Sequence, residues 1–136
     1  MSLEAATEKI TLSSRGRGDN VQILTEGDMI VPDINPDIYQ ILKADEDVMI
    51  DKVKAEQGRI GFSGRIIVSV LYYGKKTDRP VSFMKAEFPI EDYIMSDGID
   101  ENTDADIIPE IIHTDYRLVN DRQINVKAVT GIKPSW

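Results

Sequence analysis

The single histidine of the chain, His113, is the residue that a catalytic centre would need most. Asp115 follows it two positions later, and in a β-strand the two side chains point to the same face. A Ser-His-Asp or Cys-His centre also needs a nucleophile held in a strained turn, and the sequence supplies no such turn and no cysteine. We therefore interpret His113 as a structural or surface residue and expect that the chain is not an enzyme.

The acidic stretch 97–106 is the one segment with a spacing that could bind a metal ion. Asp100, Asn102 and Asp104 have the alternate spacing that opens an EF-hand calcium loop. Ala105 then stands where the glycine of the sharp turn belongs, and Ile111 stands where the bidentate glutamate belongs. We predict a solvated loop here and no metal site. The glycines form no phosphate-binding pattern either, so no cofactor is expected.

Length and charge limit the remaining function classes. The 136 residues are 41% hydrophobic, which is enough for one domain with a core of its own. The net charge of -8 disfavours non-specific binding to nucleic acid. No apolar run approaches the length of a membrane span, and Met1–Lys9 lacks the pattern of a signal peptide. We expect synthesis in a cytoplasm, no contact with nucleic acid and no membrane span.

Apolar residues alternate with polar ones along most of the chain, which is the pattern of half-buried β-strands. The longest predicted strand is Ile60–Tyr72, and Gly58 can supply the positive φ of the hairpin before it. A second pair of strands is predicted over 106–118 and 123–132, with a turn at Asn120-Asp121. One short helix is predicted near residues 36–43. The fold class is therefore all-β, an antiparallel β-sandwich or a barrel-like meander.

Gly61 and Gly64 lie inside the longest predicted strand, where glycine is unusual. They indicate either a bulge or bend, or positions that make room for large neighbouring side chains.

The first twenty residues differ from the rest of the chain. Residues 7–12 have the pattern of a short strand, and the Gly-rich segment 13–20 has the composition of a flexible connector. We interpret residues 1–20 as an N-terminal arm and residues 21–136 as a single β domain. The arm's strand could add to its own sheet or to that of a neighbouring subunit, with Ile10 and Leu12 filling pockets of the partner.

Two segments, residues 25–42 and residues 111–129, carry a resemblance to a known family. The first runs Thr-Glu-Gly-Asp-Met-Ile-Val-Pro-Asp-Ile-Asn-Pro-Asp-Ile-Tyr-Gln-Ile-Leu, and the second has the form Ile-x-His-x-x-Tyr-x-Leu-x-x-x-Arg-x-Ile-x-Val-x-Ala-Val. Over residues 21–132 the chain resembles the SPOCS domain of SipL-type spore-coat morphogenetic proteins of spore-forming Firmicutes. It departs from them in having one copy of the domain and no LysM-like module after it.

The resemblance implies a non-enzymatic structural module that contributes to the spore coat or another proteinaceous layer. It would act by self-association, as a homo-oligomer or filament, or by docking on a coat morphogenetic partner, and the implied partner is the sporulation coat ATPase. The implied location is the mother cell and then the spore surface or coat. An alternative is a carbohydrate- or peptidoglycan-binding β-sandwich. That function would need exposed aromatic residues on one sheet face, and the candidates are Tyr72, Tyr73, Tyr93 and Trp136.

Overall fold

Strands and the turns between them make up the described part of the molecule. The structure is a computed structural model that describes residues 9–15, 21–78 and 81–136. The described residues contain no helix, and so no helix long and apolar enough to cross a membrane. The strands are β1 (Lys9–Arg15), β2 (Val21–Ile30), β3 (Ile38–Glu56), β4 (Arg59–Gly74), β5 (Val81–Met95), β6 (Asp106–Asn120) and β7 (Gln123–Ser135).

The strands form two antiparallel sheets, one with the order β1-β2-β7-β6 and one with the order β3-β4-β5. The inner faces of both sheets contribute to one hydrophobic core. The all-β antiparallel class is confirmed, and the two separate sheets correspond to the sandwich. In β4 the core residues alternate with half-buried ones, and Ile60, Phe62, Ile66, Val68, Val70 and Tyr72 are all buried.

Two hairpins follow the sequence pattern closely. The β3–β4 hairpin turns at Gln57 and Gly58, and Gly58 has a φ of 76°, which glycine adopts without a steric penalty. The predicted strand Ile60–Tyr72 lies within β4. The last two predicted strands are β6 and β7, whose turn is formed by Asp121 and Arg122, one residue later than predicted.

The predicted helix near residues 36–43 is wrong. Ile38 is the first residue of β3, and Ile38 and Ile41 pair with Gly74 and Tyr72 of β4. A register shift between Ile38 and Gln40 inserts an extra residue, so two isoleucines three positions apart face the same side of the sheet. That spacing also occurs on a helix face, which is why the pattern was misleading. So short a helix has little stability of its own, and pairing with β4 outweighs it.

The two positions inside β4 require glycine for different reasons. A Cβ at Gly64 would lie 2.2 Å from the backbone oxygen of Met49, at the place where β3 has a register shift between Ile50 and Lys52. The bulge is thus in the partner strand, and Gly64 accommodates it. A Cβ at Gly61 would meet the ring of Tyr93 at 3.0 Å, so Gly61 makes room for a large cross-strand neighbour.

Candidate interaction site

The loop of residues 31–37 carries the chain from β2 in one sheet to β3 in the other. Arg122, in the turn between β6 and β7, holds this loop. Its guanidinium donates hydrogen bonds to the carbonyl oxygens of Val31 at 3.1 Å and Pro32 at 3.0 Å. It also donates to the carboxylate of Asp37, with which it forms an ion pair. One planar cation therefore binds both ends of the loop, a geometry for which arginine is suited and lysine is not.

Backbone and tyrosine hydrogen bonds fix the same loop. The N–H of Val31 donates to the carbonyl of Arg122 at 2.9 Å, and the N–H of Ile38 donates to the carbonyl of Asp121 at 2.7 Å. The hydroxyl of Tyr72, a fully buried residue, donates to the carbonyl of Pro36 at 2.8 Å. Burial raises the pKa of Tyr72, so the phenol stays a neutral donor. The two segments that carried the family resemblance thus meet at one junction. This junction fixes the start of β3 relative to the sheet that contains β6 and β7.

The two long sides of the sandwich differ in how well they are closed. Where β2 faces β5, the inner-face apolar residues are fully buried, Ile23 and Ile90 among them. Where β3 faces β6, the inner-face residues of both strands are half-buried or exposed, except for Ile38 and Ile107. We call this the open side. Its inner-face apolar residues are Ile41, Ala44, Val48, Ile50, Val53 and Ala55 of β3 and Ile111, Tyr116 and Leu118 of β6.

The exposed members of β6 belong to the inner face by their register. Ile111, Tyr116 and Leu118 are 47%, 44% and 43% exposed, yet they pair with Thr130, Val126 and Ile124, which are buried. Cross-strand partners share a face, so these three side chains point towards the opposite sheet. β3 lies opposite β6 but does not cover these three side chains.

Glu46 of β3 connects the two sheets on the open side. The hydroxyl of Thr114 in β6 donates to its Oε1 at 2.6 Å, and the hydroxyl of Thr130 in β7 donates to its Oε2 at 3.2 Å. Burial raises the pKa of the Glu46 carboxyl, and the two hydroxyl bonds act in the opposite direction. The sequence reasoning missed this residue. Its signal was an acid in alternation with Ala44 and Val48, at a position where the strand pattern requires an apolar side chain.

The sheet edges differ in their protection against strand addition. Proline lacks the N–H that a neighbouring strand would need, and it is therefore found on edges. Pro89 lies in β5 and Pro109 lies in β6, each an edge strand. The 19 residues of β3, also an edge strand, contain no proline. Among the long edge strands, β3 thus has the backbone most able to accept another strand.

The N-terminal residues predicted to bind a partner lie in β1, which pairs with β2 of the same chain. The register places the backbone of Ile10 opposite Glu26 and that of Leu12 opposite Leu24. The strand continues to Arg15, so residues 13–15, predicted as connector, are part of it because they pair with Ile23, Gln22 and Val21. Residues 1–8 and 16–20 of the predicted arm lie outside the described residues. The role of Ile10 and Leu12 in binding a partner stays a prediction.

The residues considered for chemistry belong to two segments, the strand β6 and the acidic loop of residues 97–106. His113 and Asp115 are neighbours on one face of β6, with the Nε2 of the histidine 3.4 Å from a carboxylate oxygen, and both side chains are mostly exposed. In the acidic loop, Asp100 accepts hydrogen bonds from the N–H of Asn102 at 2.8 Å and from the hydroxyl of Thr103 at 3.3 Å. The loop is anchored by Ile99, whose side chain is buried in the core.

The aromatic residues proposed for glycan binding do not form one platform. Tyr72 is fully buried in the core. Tyr93 lies opposite Gly61 with the guanidinium of Arg59 4.2 Å from its ring centre. Tyr73 lies twelve residues further along β4 than Gly61, roughly 40 Å away at the usual rise per residue. No feature of the described residues favours the carbohydrate-binding alternative.

A comparison with protein-family models matched the model described as "SipL, SPOCS domain" over residues 37–119. The matched segment is more than half of the chain and includes β3 to β6. The chain belongs to the SipL SPOCS-domain family. The match is shorter than the resemblance over 21–132, and it contains the open-side residues of both β3 and β6. Searches of curated proteins and of solved structures each returned no match.

Membership of the SPOCS family indicates a role connected with sporulation. The family match begins at Asp37, the residue that binds Arg122, and it ends at Val119, one residue before the end of β6. The sequence pattern had included Arg122 without a role for it. The structure supplies that role, which is to join the β6–β7 turn to the loop that begins β3.

Proposed function

We propose that this SPOCS domain is a non-enzymatic assembly module that contributes to the spore coat or another proteinaceous layer of the spore. It acts through protein–protein contacts, either between its own copies or with a coat morphogenetic partner. The observation that carries the proposal is the open side, where the apolar inner faces of two strands reach solvent beside an edge strand without proline. Contiguous exposed apolar surface of this kind marks interaction sites in soluble proteins.

The family resemblance gives the proposal its partner and its place. SipL-type proteins imply the sporulation coat ATPase as the docking partner, and the mother cell and then the spore surface as the location. The open side offers both elements of strand-mediated recognition, namely free main-chain groups on an edge and apolar positions at alternate residues. A protein of this kind needs no metal, cofactor or catalytic residue.

The first experiment measures the size of the purified chain by light scattering behind a sizing column, with negative-stain imaging of the same fractions. The proposal predicts dimers or larger ordered particles, or a monomer that binds the coat ATPase when the two proteins are mixed. A monomer that does not bind the ATPase and does not localise to the forespore as a fluorescent fusion in sporulating cells would contradict it.

A matched pair of variants locates the contact. Tyr116→Ser with Leu118→Ser makes the open side polar and is expected to abolish both association and forespore localisation. Phe83→Ser removes an apolar side chain of similar exposure from β5, the opposite edge of the other sheet, and is expected to leave both unchanged. Equal loss in the two variants would contradict a role for the open side.

A further inference from the structure

The outer face of β3 carries charges in an order that is complementary to itself. The outer-face residues of β3 are those that pair with the half-buried residues of β4, on the side of the sheet away from the core. Asp51 is an extra residue in the register, so Lys52 lies on the same face as Met49 although it is three positions later. Met49 is the central member. The full series is Lys43, Asp45, Asp47, Met49, Lys52, Lys54 and Glu56.

Two copies of β3 laid antiparallel about Met49 bring opposite charges together at every charged position of this series. Asp51, the extra residue of the register shift, has no opposed residue and lies 3.5 Å from Arg65 of its own chain. Met49 faces Met49, and Asp47 faces Lys52 of the other copy. Continuing outwards, Asp45 faces Lys54 and Lys43 faces Glu56. Each pair occurs twice by the two-fold symmetry. Opposite charges on directly opposed residues stabilise an antiparallel ladder, and like charges there destabilise it.

The inner face of the same pairing is mainly apolar. Val48 would face Ile50, and Ala44 would face Ala55. Glu46 would face Val53, and its carboxylate already accepts hydrogen bonds from the two threonines of the opposite sheet. The pairing therefore needs no new partner for a buried charge.

The pairing requires the N–H of Val48 on the free edge of β3. That N–H donates to the side chain of Asp47 in its own strand at 2.9 Å. In an antiparallel pair centred on Met49, Val48 and Ile50 would exchange both of their main-chain hydrogen bonds. The carboxylate of Asp47 would then be released to Lys52 of the other copy.

The charges nearest the centre have no competing ion pair. Within residues 9–15, 21–78 and 81–136, Asp47, Lys52 and Lys54 make no salt bridge of 4.0 Å or shorter. Further from the centre, Asp45 lies 3.4 Å from Lys43 in the single chain, and Glu56 is bound by Arg59 at 2.7 Å. These outer pairs would exchange one partner for another, so the central pairs carry the specificity.

We propose that two copies of the domain bind each other through β3, antiparallel and centred on Met49. The sheets β3-β4-β5 of the two copies would join into one six-stranded sheet. The two open sides would then lie next to each other across the two-fold axis, where each covers apolar surface of the other. This contact rests on the assembly function proposed above and specifies the first interface between copies.

A cysteine at the centre tests the geometry directly. The native chain contains no cysteine, so Met49→Cys introduces a single thiol. Met49 is 43% exposed in the native chain, so an oxidant can reach this position. Directly opposed residues in a non-hydrogen-bonded pair have Cβ atoms about 4.5–5.5 Å apart, close enough to form a disulfide with small adjustments. The control, Phe83→Cys on β5, starts from a residue of 39% exposure.

The proposal predicts that mild oxidation links Met49→Cys into a dimer at least about tenfold faster than Phe83→Cys, on non-reducing gels at equal concentration. Equal rates for the two variants would overturn it.

A charge exchange tests the register without a covalent bond. The double variant D45K/D47K makes positions 45, 47, 52 and 54 all basic, and K52D/K54D makes the same four positions all acidic. Each variant alone would place like charges opposite one another, so each is expected to be monomeric at concentrations where the wild type is dimeric. An equimolar mixture is expected to restore dimers, because every basic position then faces an acidic one. Restoration also shows that both variants are folded.

The outcomes separate this contact from the wider assembly function. The wild type could associate while Met49→Cys and Phe83→Cys cross-link at equal rates, or while the mixed charge variants fail to form dimers. Either result overturns the β3 contact and shows that the copies assemble through another surface. A wild type that is monomeric at all concentrations overturns the β3 contact, and binding of the coat ATPase then decides the assembly function separately.

Discussion

The two long sides of this sandwich are built from the same kind of strand, yet one is closed and the other open. Ile90 of β5, on the closed side, is 1% exposed, whereas Ile111 of β6, on the open side, is 47% exposed although both face inwards. β3 lies opposite β6 and is joined to it through Glu46, yet it leaves the inward-facing side chains of β6 partly in solvent, whereas the apolar inner faces of β2 and β5 bury each other. A domain that leaves inward-facing apolar residues uncovered has surface available for a partner.

The edges show the same contrast. Pro89 interrupts the hydrogen-bonding groups of β5, while β3 presents an uninterrupted series without proline. Natural proteins protect free edges because an unprotected edge pairs with other chains. Pro109 interrupts β6, the other long edge strand on the open side, so the long edge strand without proline is β3, and we expect association by strand pairing there.

The largest expected effects come from a matched pair of isoleucine truncations. Ile90→Ala on the closed side should lower the free energy of unfolding by about 2–5 kcal/mol, because it leaves a cavity in a packed core. Ile111→Ala on the open side should lower it by only about 1 kcal/mol, because nearly half of that side chain is already in water. Urea unfolding at low protein concentration measures both values. Equal losses would show that the open side is packed as well as the closed one.

A second comparison separates the two glycines of β4. Gly64→Ala places a Cβ against the backbone of Met49 in β3, which cannot move without shifting the strand, so we expect a loss of about 3 kcal/mol. Gly61→Ala meets only the ring of Tyr93, a movable side chain, and should lose about 1 kcal/mol. Thermal unfolding of the two variants checks the order. The reverse order would mean that the β3 bulge is not fixed by Gly64.

The junction that orients β3 is tested by Arg122. Arg122→Ala removes charge-assisted hydrogen bonds to the loop of residues 31–37 and should lower the free energy of unfolding by about 2 kcal/mol. Arg122→Lys keeps the positive charge but cannot bind both ends of the loop, so it should recover less than half of the loss. Full recovery by lysine, measured by urea unfolding, would show that charge alone holds the junction.

The smallest expected effect concerns Glu46 and pH. Its pKa is raised above its ordinary value of 4.5, so in the folded state protonation is easier than in the unfolded state. The resulting stabilisation is fully present below the unfolded pKa and is lost as the pH rises through the folded pKa. Glu46→Gln removes this dependence. The melting temperature of the wild type relative to Glu46→Gln should therefore fall as the pH rises from below 4.5 to neutrality. A constant difference across that range would contradict the shift.

Much of the fold could be predicted from local patterns, because the determinants of those parts are themselves local. Gly58 predicts its hairpin through its own φ, and the alternation in β4 predicts its buried face. The helix near residues 36–43 was wrong because a bulge gives Ile38 and Ile41 a helix-like spacing, and a bulge is decided by the partner strand. The roles of Glu46 and Arg122 depend on residues more than 60 positions away, which spacing alone does not reveal.

Amide hydrogen exchange of the wild type at increasing protein concentration tests the central claim, that association is directed to the open side. The account predicts that exchange in the segment 43–56 of β3 becomes slower as concentration rises, with Val48 among the protected amides, while exchange in the segment 81–95 of β5 does not change. Exchange in β3 that is independent of concentration while the protein associates, or protection that is equal in β5, would contradict it.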